Sequence, residues 1–408
     1  MRVTTLLRRL LRVICLVVVA FRFEDGDLVV SVRPAWRQPR CGECHGKASG
    51  YDTLVQPRRW RALPWGPVVV WLEYRMRRVE CPSCGVRVER VSWAELGSRF
   101  TADFEEMAAY LAQLTDQTAV TKLLGLSWRA VGHIIERVVS DRLDPDRLAD
   151  LRRIGIDEFS YRRGQTYLTI VVDHDRQRVV WAAPGRGADA LRAFFDALGP
   201  ERTARLRTIS IDMAGGYLKA IGKRAPGAQI IFDRFHAERL AGDAVDQVRR
   251  ALWRDFRGCP EGTGIKHSRW ALLRRPWNRT DRDDDKLWEV QRTNRPLYRA
   301  SLLNATLADA LDQRDPERAR DALREWLSWA QRCRLAPFVR VARTIRKHLD
   351  GILAYVDERL TNGIVEGFNN RLRMVCRRAF GFHSERPVIS MLFLCCGRIP
   401  LSPPLPTH

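Results

Sequence analysis

The sequence lacks an apolar stretch long enough to cross a membrane. The best candidate, from Val13 to Phe21, has nine residues without charge, whereas a spanning helix needs about 20. Basic residues precede it as in a signal peptide, but Phe-Arg-Phe-Glu-Asp follows where a small-residue cleavage site would stand. We therefore predict a short helix followed by a strand and no membrane association, with a targeting segment as the alternative.

The sequence also lacks an even distribution of cysteines along the chain. Four of the ten cysteines form two Cys-x-x-Cys pairs, and Cys395 and Cys396 are adjacent. This clustering excludes the disulfide framework of a small secreted protein and fits a reducing cytoplasm. We find no internal repeat and no long low-complexity segment.

Acidic residues and lysines are scarce beside arginine. Lys and Arg total 70, most of them Arg, against 48 Asp and Glu, which gives a formal net charge of +22. Such a charge predicts a polyanionic partner, with nucleic acid first and an anionic membrane surface second. Arginine binds phosphate through two parallel hydrogen bonds, which favours DNA. The 408 residues, 45% of them hydrophobic, exclude a disordered chain and allow two or three domains.

The cysteine pairs are the sharpest local pattern. Cys41 and Cys44 form one pair, and Cys81 and Cys84 the other, separated by a stretch that a hairpin could fill. Four thiolates in two such pairs predict a tetrahedral, structural zinc site. Free buried cysteines and a redox pair are the alternatives, and His45 is redundant as a ligand. We predict that residues 1–95 form a zinc-binding lobe of short strands, one of them over residues 66–81.

Residues 96–150 are predicted to be helical and to contain a helix-turn-helix. Apolar residues repeat at helical spacing on both sides of Gly125, which can make the turn, and Ser127 can cap the second helix. This pattern is typical of a DNA-binding helix-turn-helix, with an ordinary helical hairpin as the alternative. The residues predicted to point away from the core toward DNA are Ser127, Trp128, Arg129, His133 and Arg137.

Two similar strand ends each carry an aspartate. In the segments 154–157 and 209–212, isoleucines alternate with the other residues, and Asp157 and Asp212 come last. The isoleucines would face one side of a sheet and the aspartates the other. Residues 151–236 read as three strands, a helix, a strand, a helix and a strand, which is the ribonuclease H-like order.

A third acid lies far along the chain. The segment 361–382 reads as a helix capped by Thr361 or Asn362, with an apolar face of Val365, Phe368, Leu372 and Val375. A second stripe comprises Glu366, Asn369, Arg373 and Arg377. Three acids suit phosphodiester cleavage, because two divalent ions held by carboxylates can stabilise charge on both the attacking and the leaving oxygen.

Other residues compete for these roles. Glu158, Asp173 and Asp233 are rival acids; Asp233 could assist the site together with His236, or could simply start the next helix. The arginine-rich helical segment 237–356 holds several tryptophans, more of them expected in the core than outside it. The functional alternative is that some stack on unpaired bases. These tryptophans are Trp253, Trp270, Trp277, Trp288, Trp326 and Trp329.

Taken together, these motifs resemble the DDE insertion-sequence transposases of bacteria, in the zinc-finger-bearing ISL-three group. The resemblance covers nearly the whole chain, and its most specific part is TNGIVEGFNNRLR followed by RRAFGF. The other segments that carry it are the two Cys-x-x-Cys pairs, the helix-turn-helix, IGIDEFSYRRGQTYLTIVVDHD, VVWAAPGR, ISIDMAGGYLKAI and IIFDRFH.

The resemblance implies a multidomain α+β and α/β protein with a ribonuclease H-like core. That core would comprise residues 151–236 and 357–397, with a helical insertion at 237–356 and a tail at 398–408. Asp157, Asp212 and Glu366 match the family's catalytic acids, which hold two Mg²⁺ or Mn²⁺ ions, and Asn369, Arg373 and Arg377 would contact DNA.

The implied function is binding of terminal inverted repeats, cleavage and strand transfer into target DNA by a homo-oligomer associated with the bacterial nucleoid. A catalytically inactive repressor derived from a transposase and a ribonuclease H-like nuclease without strand transfer are the alternatives.

Overall fold

The computed structural model describes residues 3–11, 13, 15–162, 166–213, 215–358, 360, 363–379, 382 and 384–403. The chain divides into two compact units. Of the described residues, the first unit holds those up to Asp144 with 377–379 and 386–403, and the second holds those from Pro145 to Cys376 with 382, 384 and Glu385. The predicted segment 357–397 is thus divided between the units.

The strands, in chain order, are β1 (Leu16–Glu24), β2 (Asp27–Pro34), β3 (Ser49–Thr53), β4 (Arg58–Trp65), β5 (Val68–Tyr74), β6 (Arg77–Cys81), β7 (Gly85–Val88), β8 (Arg153–Arg162), β9 (Thr166–Asp173), β10 (Arg178–Pro184), β11 (Thr208–Ile211) and β12 (Gln229–Phe232). The helices are α1 (Val3–Leu11), α2 (Ala102–Leu114), α3 (Gln117–Leu124), α4 (Trp128–Arg142), α5 (Ala188–Leu198), α6 (Pro200–Thr203), α7 (Gly215–Arg224), α8 (Arg234–Asp255), α9 (Pro260–Ile265), α10 (Arg269–Leu273), α11 (Asp281–Thr293), α12 (Arg295–Asp312), α13 (Pro316–Arg332), α14 (Ala336–Lys347), α15 (Leu349–Glu358), α16 (Gly363–Arg378) and α17 (Glu385–Cys396). A short 3₁₀ turn spans Pro276–Asn278.

Two small sheets form the amino-terminal part of the first unit. One has the order β1-β2-β5-β4 and the other the order β3-β6-β7. The predicted helix and strand at the amino terminus are confirmed as α1 and β1. The prediction of one strand over residues 66–81 is wrong, because β5 pairs with β2 and β4 while β6 pairs with β3 and β7. The change of sheet carries Cys81 to the other cysteines.

Most of the rest of the first unit is helical. Helix α2 packs against α3 and α4, and α17 contacts α2 through a hydrogen bond from Gln113 Nε2 to the Leu394 carbonyl of 2.6 Å. Arg386 of α17 also forms an ion pair with Glu136 of α4 at 3.1 Å. The carboxyl-terminal helix of the chain thus packs on the helix-turn-helix region.

The second unit is built on a five-stranded sheet with the order β10-β9-β8-β11-β12. Strands β8, β9 and β10 are antiparallel, whereas β8, β11 and β12 are parallel. This is the strand arrangement of the ribonuclease H-like fold, so the predicted core is confirmed. Helices α8 to α15 intervene between β12 and α16, as predicted for the insertion, and α8 packs against α12 and α14.

None of the helices that the structure describes combines the length and the apolar character needed to traverse a bilayer. The predicted cap at Thr361 or Asn362 and the tail beyond Pro403 lie outside the described residues.

Candidate active site and DNA-binding elements

The two strand-end aspartates are brought together by the register of the sheet. Strand β8 lies parallel to β11, with Gly155 opposite Ser210. Asp157 lies two residues further along β8, and Asp212 directly follows the end of β11. The alternating isoleucines of both strands are fully buried in the core on one face, which directs the two aspartates to the other face, as predicted.

Glu366 completes a cavity of about 400 Å³ that all three acids line. It lies near the amino-terminal end of α16 and is exposed to solvent. The other residues lining the cavity are Ile156, Glu158, Tyr167, Tyr217, His236, Arg239, Asn369, Asn370 and Arg373. The fold therefore gathers three acids that lie far apart in sequence around one space.

Asp157 is held through both of its carboxylate oxygens. Oδ1 accepts a hydrogen bond from the Glu158 backbone N–H at 2.7 Å, and Oδ2 accepts one from Asn369 Nδ2 at 2.7 Å. Burial raises the pKa of Asp157 above its usual range, while the Glu158 N–H and the neighbouring His236 oppose that shift. The carboxylate is thus fixed in orientation at the floor of the cavity.

Asp212 faces two basic side chains of α8. His236 Nδ1 lies 3.2 Å from Asp212 Oδ1, although not in hydrogen-bond geometry, and an Arg239 guanidinium nitrogen lies 3.9 Å from Asp212 Oδ2. His236 was predicted from the sequence to assist the site, whereas Arg239 was not predicted. The missed pattern was the spacing of three residues, which places Arg239 one helical turn after His236.

Asn369 is buried, unlike the other three residues of the predicted stripe on α16. Only 3% of its surface is exposed, and its side chain donates to Asp157 Oδ2. Arg373 lies on the cavity wall and donates to Asn370 Oδ1 at 2.8 Å. Arg377, one turn further, is exposed. Asn369 and Arg373 thus both line the cavity, whereas Arg377 is not one of its lining residues.

The donor set of the cavity consists of carboxylate oxygens, which suit Mg²⁺ or Mn²⁺. Among the described residues, only the four paired cysteines place ligand atoms from at least three side chains within 4.8 Å of one another, so the three carboxylates are more widely spread.

The rival acids have other surroundings. Glu158 lines the cavity. Asp173 is buried and accepts hydrogen bonds from the backbone N–H groups of Asp175 and Arg176 in the turn after β9. Asp233 caps α8 by accepting from the Phe235 N–H at 3.0 Å, which agrees with the reading that it starts this helix.

Tyr217 lines the cavity with its hydroxyl held in place. Burial raises the pKa of Tyr217 to about 12, and its hydroxyl is hydrogen-bonded to Thr169 Oγ1 at 2.9 Å.

The four paired cysteines meet in one cluster. The sulfur atoms of Cys41, Cys44, Cys81 and Cys84 all lie within 4.8 Å of one another, and those of Cys44 and Cys81 are 3.4 Å apart. A zinc ion bonded to four sulfurs at about 2.3 Å places them roughly 3.8 Å apart. The residues present thus fit the metal, and the cluster supports a structural zinc site.

The helix-turn-helix has the predicted geometry. Gly125 ends α3 in the left-handed region, with φ of 59°, and Ser127 caps α4 by accepting from the Ala130 N–H at 3.2 Å. Trp128, Arg129 and His133 are exposed, as expected. Arg137 was also predicted to point away from the core, and for this residue the prediction is wrong.

Arg137 is turned toward helix α2, where it pairs with a buried acid while 33% of its own side chain stays exposed. Its Nε donates to Glu105 Oε1 of α2 at 3.1 Å, and the Glu105 side chain is 4% exposed. The ion pair therefore joins α4 to α2.

The tryptophans of the insertion fall into two groups. Trp326 is buried and donates to the Leu303 carbonyl at 2.7 Å, and Trp253 and Trp329 pack partly buried against the core. By contrast, Trp270, Trp277 and Trp288 are 57%, 70% and 60% exposed. An arginine guanidinium lies over each exposed ring, at 5.2, 5.6 and 4.5 Å from the ring centroids.

Comparison with known proteins identifies three family models along the chain. A family model described as "Transposase" matches residues 154–391. The helix-turn-helix domain of transposase family ISL3 matches residues 89–139, and the zinc-finger of transposase IS204/IS1001/IS1096/IS1165 matches residues 37–84. These matches together span the cysteine cluster, the helix-turn-helix and the acid-lined cavity.

Two curated relatives match at nearly full length. The transposase for insertion sequence element IS1557 of Mycobacterium tuberculosis is 39% identical over 95% of this chain and 94% of its own. The transposase for IS1001 of Bordetella parapertussis is 31% identical over 89% of this chain and 90% of its own. A solved Drosophila P element transposase strand transfer complex is 14% identical, with a TM-score of 0.39 over 72% of this chain and 92% of that one.

The chain therefore belongs to the ISL3 family of insertion-sequence transposases, and it is a DNA-binding enzyme of transposition.

Proposed function

We propose that this transposase cleaves DNA at the ends of its element and joins those ends to target DNA, with Asp157, Asp212 and Glu366 as the metal-binding catalytic acids. The observation that carries the proposal is the cavity, which all three acids line from two parallel strands and one distant helix. Their carboxylates would hold two Mg²⁺ or Mn²⁺ ions. When bound, these ions stabilise the charge that develops on the attacking and leaving oxygens.

The other side chains of the cavity have roles that follow from their positions. Arg239 and Arg373 present guanidinium groups at the cavity wall, where they would bind the backbone phosphates of the DNA. His236 packs against Asp212 and keeps its carboxylate turned toward the cavity. Arg377 is exposed one turn beyond Arg373 and would contact the same strand. Asp233 acts indirectly, because it caps the helix that carries His236.

The helix-turn-helix would read the terminal inverted repeats of the element. Helix α4 begins at Trp128, and the residues at and after its cap, Ser127, Trp128, Arg129 and His133, are exposed at the end that enters the major groove in this motif. Arg137 supports the helix from behind through Glu105. The zinc site would stabilise the adjoining sheet.

The exposed tryptophans of the insertion would stack on unpaired bases at the DNA ends. A base can stack on the open face of each ring, and the arginine over the other face adds a positive charge near the strand. Stacking of this kind is worth about 1–3 kcal/mol per base. We also propose that the protein acts as a homo-oligomer on DNA, in which two copies would hold two DNA ends together.

The experiment is a cleavage assay on labelled terminal DNA with Mg²⁺ or Mn²⁺. Wild type is expected to cut, whereas Asp157→Asn, Asp212→Asn and Glu366→Gln are expected to bind the ends without cutting. Binding by the wild type with no cleavage would instead indicate a repressor. Cleavage without joining to plasmid DNA would indicate a nuclease.

A further inference from the structure

Helix α16 contacts strand β8 at two points one helical turn apart. At the first, Val365 packs over Gly155, where an added Cβ atom would lie 2.6 Å from Val365 Cγ2. At the second, the Asn369 amide donates to Asp157 Oδ2 at 2.7 Å. Glu366 follows Val365 directly, so the helix carries its acid between the two contacts.

The Asn369 amide group can be oriented in one way only. An amide oxygen turned toward the carboxylate of Asp157 would face another acceptor, so Nδ2 must be the atom that makes this contact. Oδ1 is then buried without a hydrogen-bond partner among the described residues. A buried polar atom left unsatisfied is costly, which indicates that the contact to Asp157, and not general stability, accounts for an asparagine here.

We propose that Asn369 is a positioning residue that sets the separation of Asp157 and Glu366 for divalent-ion binding. The proposal rests on the proposed function, because it assumes that these two acids are ligands. Asn369 is one turn from Glu366 on α16 and hydrogen-bonded to Asp157 on β8, and it thereby ties the helix that bears one acid to the strand that bears the other.

Asn369 and Val365, one helical turn apart on α16, contact β8 in different ways. Val365 fixes how closely α16 approaches the sheet, through an apolar contact that has no direction. The hydrogen bond from Asn369 has a direction, because it fixes the rotation of the Asp157 carboxylate as well as the position of the helix. Groups that hold metal ligands in this way typically change metal affinity by about 10- to 100-fold when they are removed.

The test is calorimetric titration of the full-length protein with Mn²⁺ in the absence of DNA. Asn369→Leu fills the space without a donor, and Asn369→Ser is too short to reach the carboxylate. Both are expected to weaken Mn²⁺ binding by about 10-fold or more.

Asn304→Leu makes the same chemical change on α12 away from the cavity, and it is expected to bind Mn²⁺ as the wild type does. Thermal unfolding of each variant verifies that it is folded; should the leucine variant fail to fold, the serine variant carries the test.

Cleavage assays separate positioning from damage to the fold. The Asn369 variants are expected to bind terminal DNA with wild-type affinity and to need more Mn²⁺ for half-maximal cleavage, with the rate recovering at high Mn²⁺. A rate that stays low at saturating Mn²⁺ would overturn the proposal, as would wild-type Mn²⁺ affinity in both variants. If Asp157→Asn and Glu366→Gln also leave Mn²⁺ binding unchanged, the proposed function itself fails; if they abolish binding while the Asn369 variants retain it, only this inference fails.

Discussion

Gly155 lies opposite Ser210 in the parallel pair of strands at the centre of the second unit. Two residues beyond this pair come Asp157 and Asp212, which line the same cavity. The missing side chain of Gly155 admits Val365 from the helix that carries Glu366. Gly155 thus pairs with β11 in the sheet and also lets α16, which carries Glu366, pack closely against β8.

We predict that Gly155→Ala lowers Mn²⁺ affinity and stability together. The new Cβ would lie 2.6 Å from Val365 Cγ2 and 2.7 Å from His174 Nε2, so α16 must move away from the sheet. Overpacking of this kind costs about 1–3 kcal/mol. Denaturant unfolding and Mn²⁺ titration measure the two effects. Adding Val365→Ala should recover part of the affinity; unchanged binding by the single variant would show that this close approach does not matter.

Substitution by alanine should have different effects at two arginines of α4: a loss of folding stability at Arg137 and a loss of DNA binding at Arg129. Arg137→Ala leaves the buried Glu105 carboxylate without its ion-pair partner, which should cost about 2–3 kcal/mol of folding free energy. Arg129→Ala should change stability by less than about 0.5 kcal/mol. It should instead weaken DNA binding and reduce the salt dependence by about 0.9 in slope. Chemical denaturation and binding at several salt concentrations distinguish the two residues, and an exchange of these effects would refute the assignment.

Removal of metal should unfold the small sheet β3-β6-β7. Cys81 ends β6, and Cys84 lies just before β7. Without zinc, the four metal–sulfur bonds that hold these strands in place would be absent. Elemental analysis should find one zinc per chain, and Cys81→Ser should lose it together with DNA binding. Purified protein that is folded and free of zinc would contradict the structural role.

Acid should destabilise the second unit through His174. Burial lowers the pKa of His174 to about 4, and its Nε2 is hydrogen-bonded to Ser210 Oγ at 2.7 Å. The unfolded chain therefore binds this proton more readily than the folded chain, and stability falls as pH drops from about 6.5 toward 4, by up to about 3 kcal/mol. Unfolding free energies of wild type and His174→Gln across that range test this. Parallel pH dependences would show that another group is responsible.

Patterns within single elements were sufficient to predict much of the site. Alternating isoleucines fixed which face carries Asp157 and Asp212, and the ribonuclease H-like order of elements placed their strands side by side. The cap at Ser127 and the left-handed turn at Gly125 were likewise local in origin. These features depend on backbone periodicity and turn chemistry, which sequence displays directly.

Features that depend on a distant partner were not predictable in this way. Asn369 and Arg137 each lie on the polar side of a helix by spacing, yet each turns toward a buried acid from another element. The division of residues 66–81 into β5 and β6 likewise follows from different pairing partners. Helical spacing gives the direction of a side chain, whereas the partner that it meets is decided by tertiary packing.

The most direct measurement is anomalous diffraction from crystals of the full-length protein soaked in Mn²⁺. The proposed function predicts two peaks in the cavity, with carboxylate oxygens of Asp157, Asp212 and Glu366 at about 2.1–2.2 Å from them. A cavity without anomalous signal at saturating Mn²⁺, or ions bound by other residues only, would contradict it.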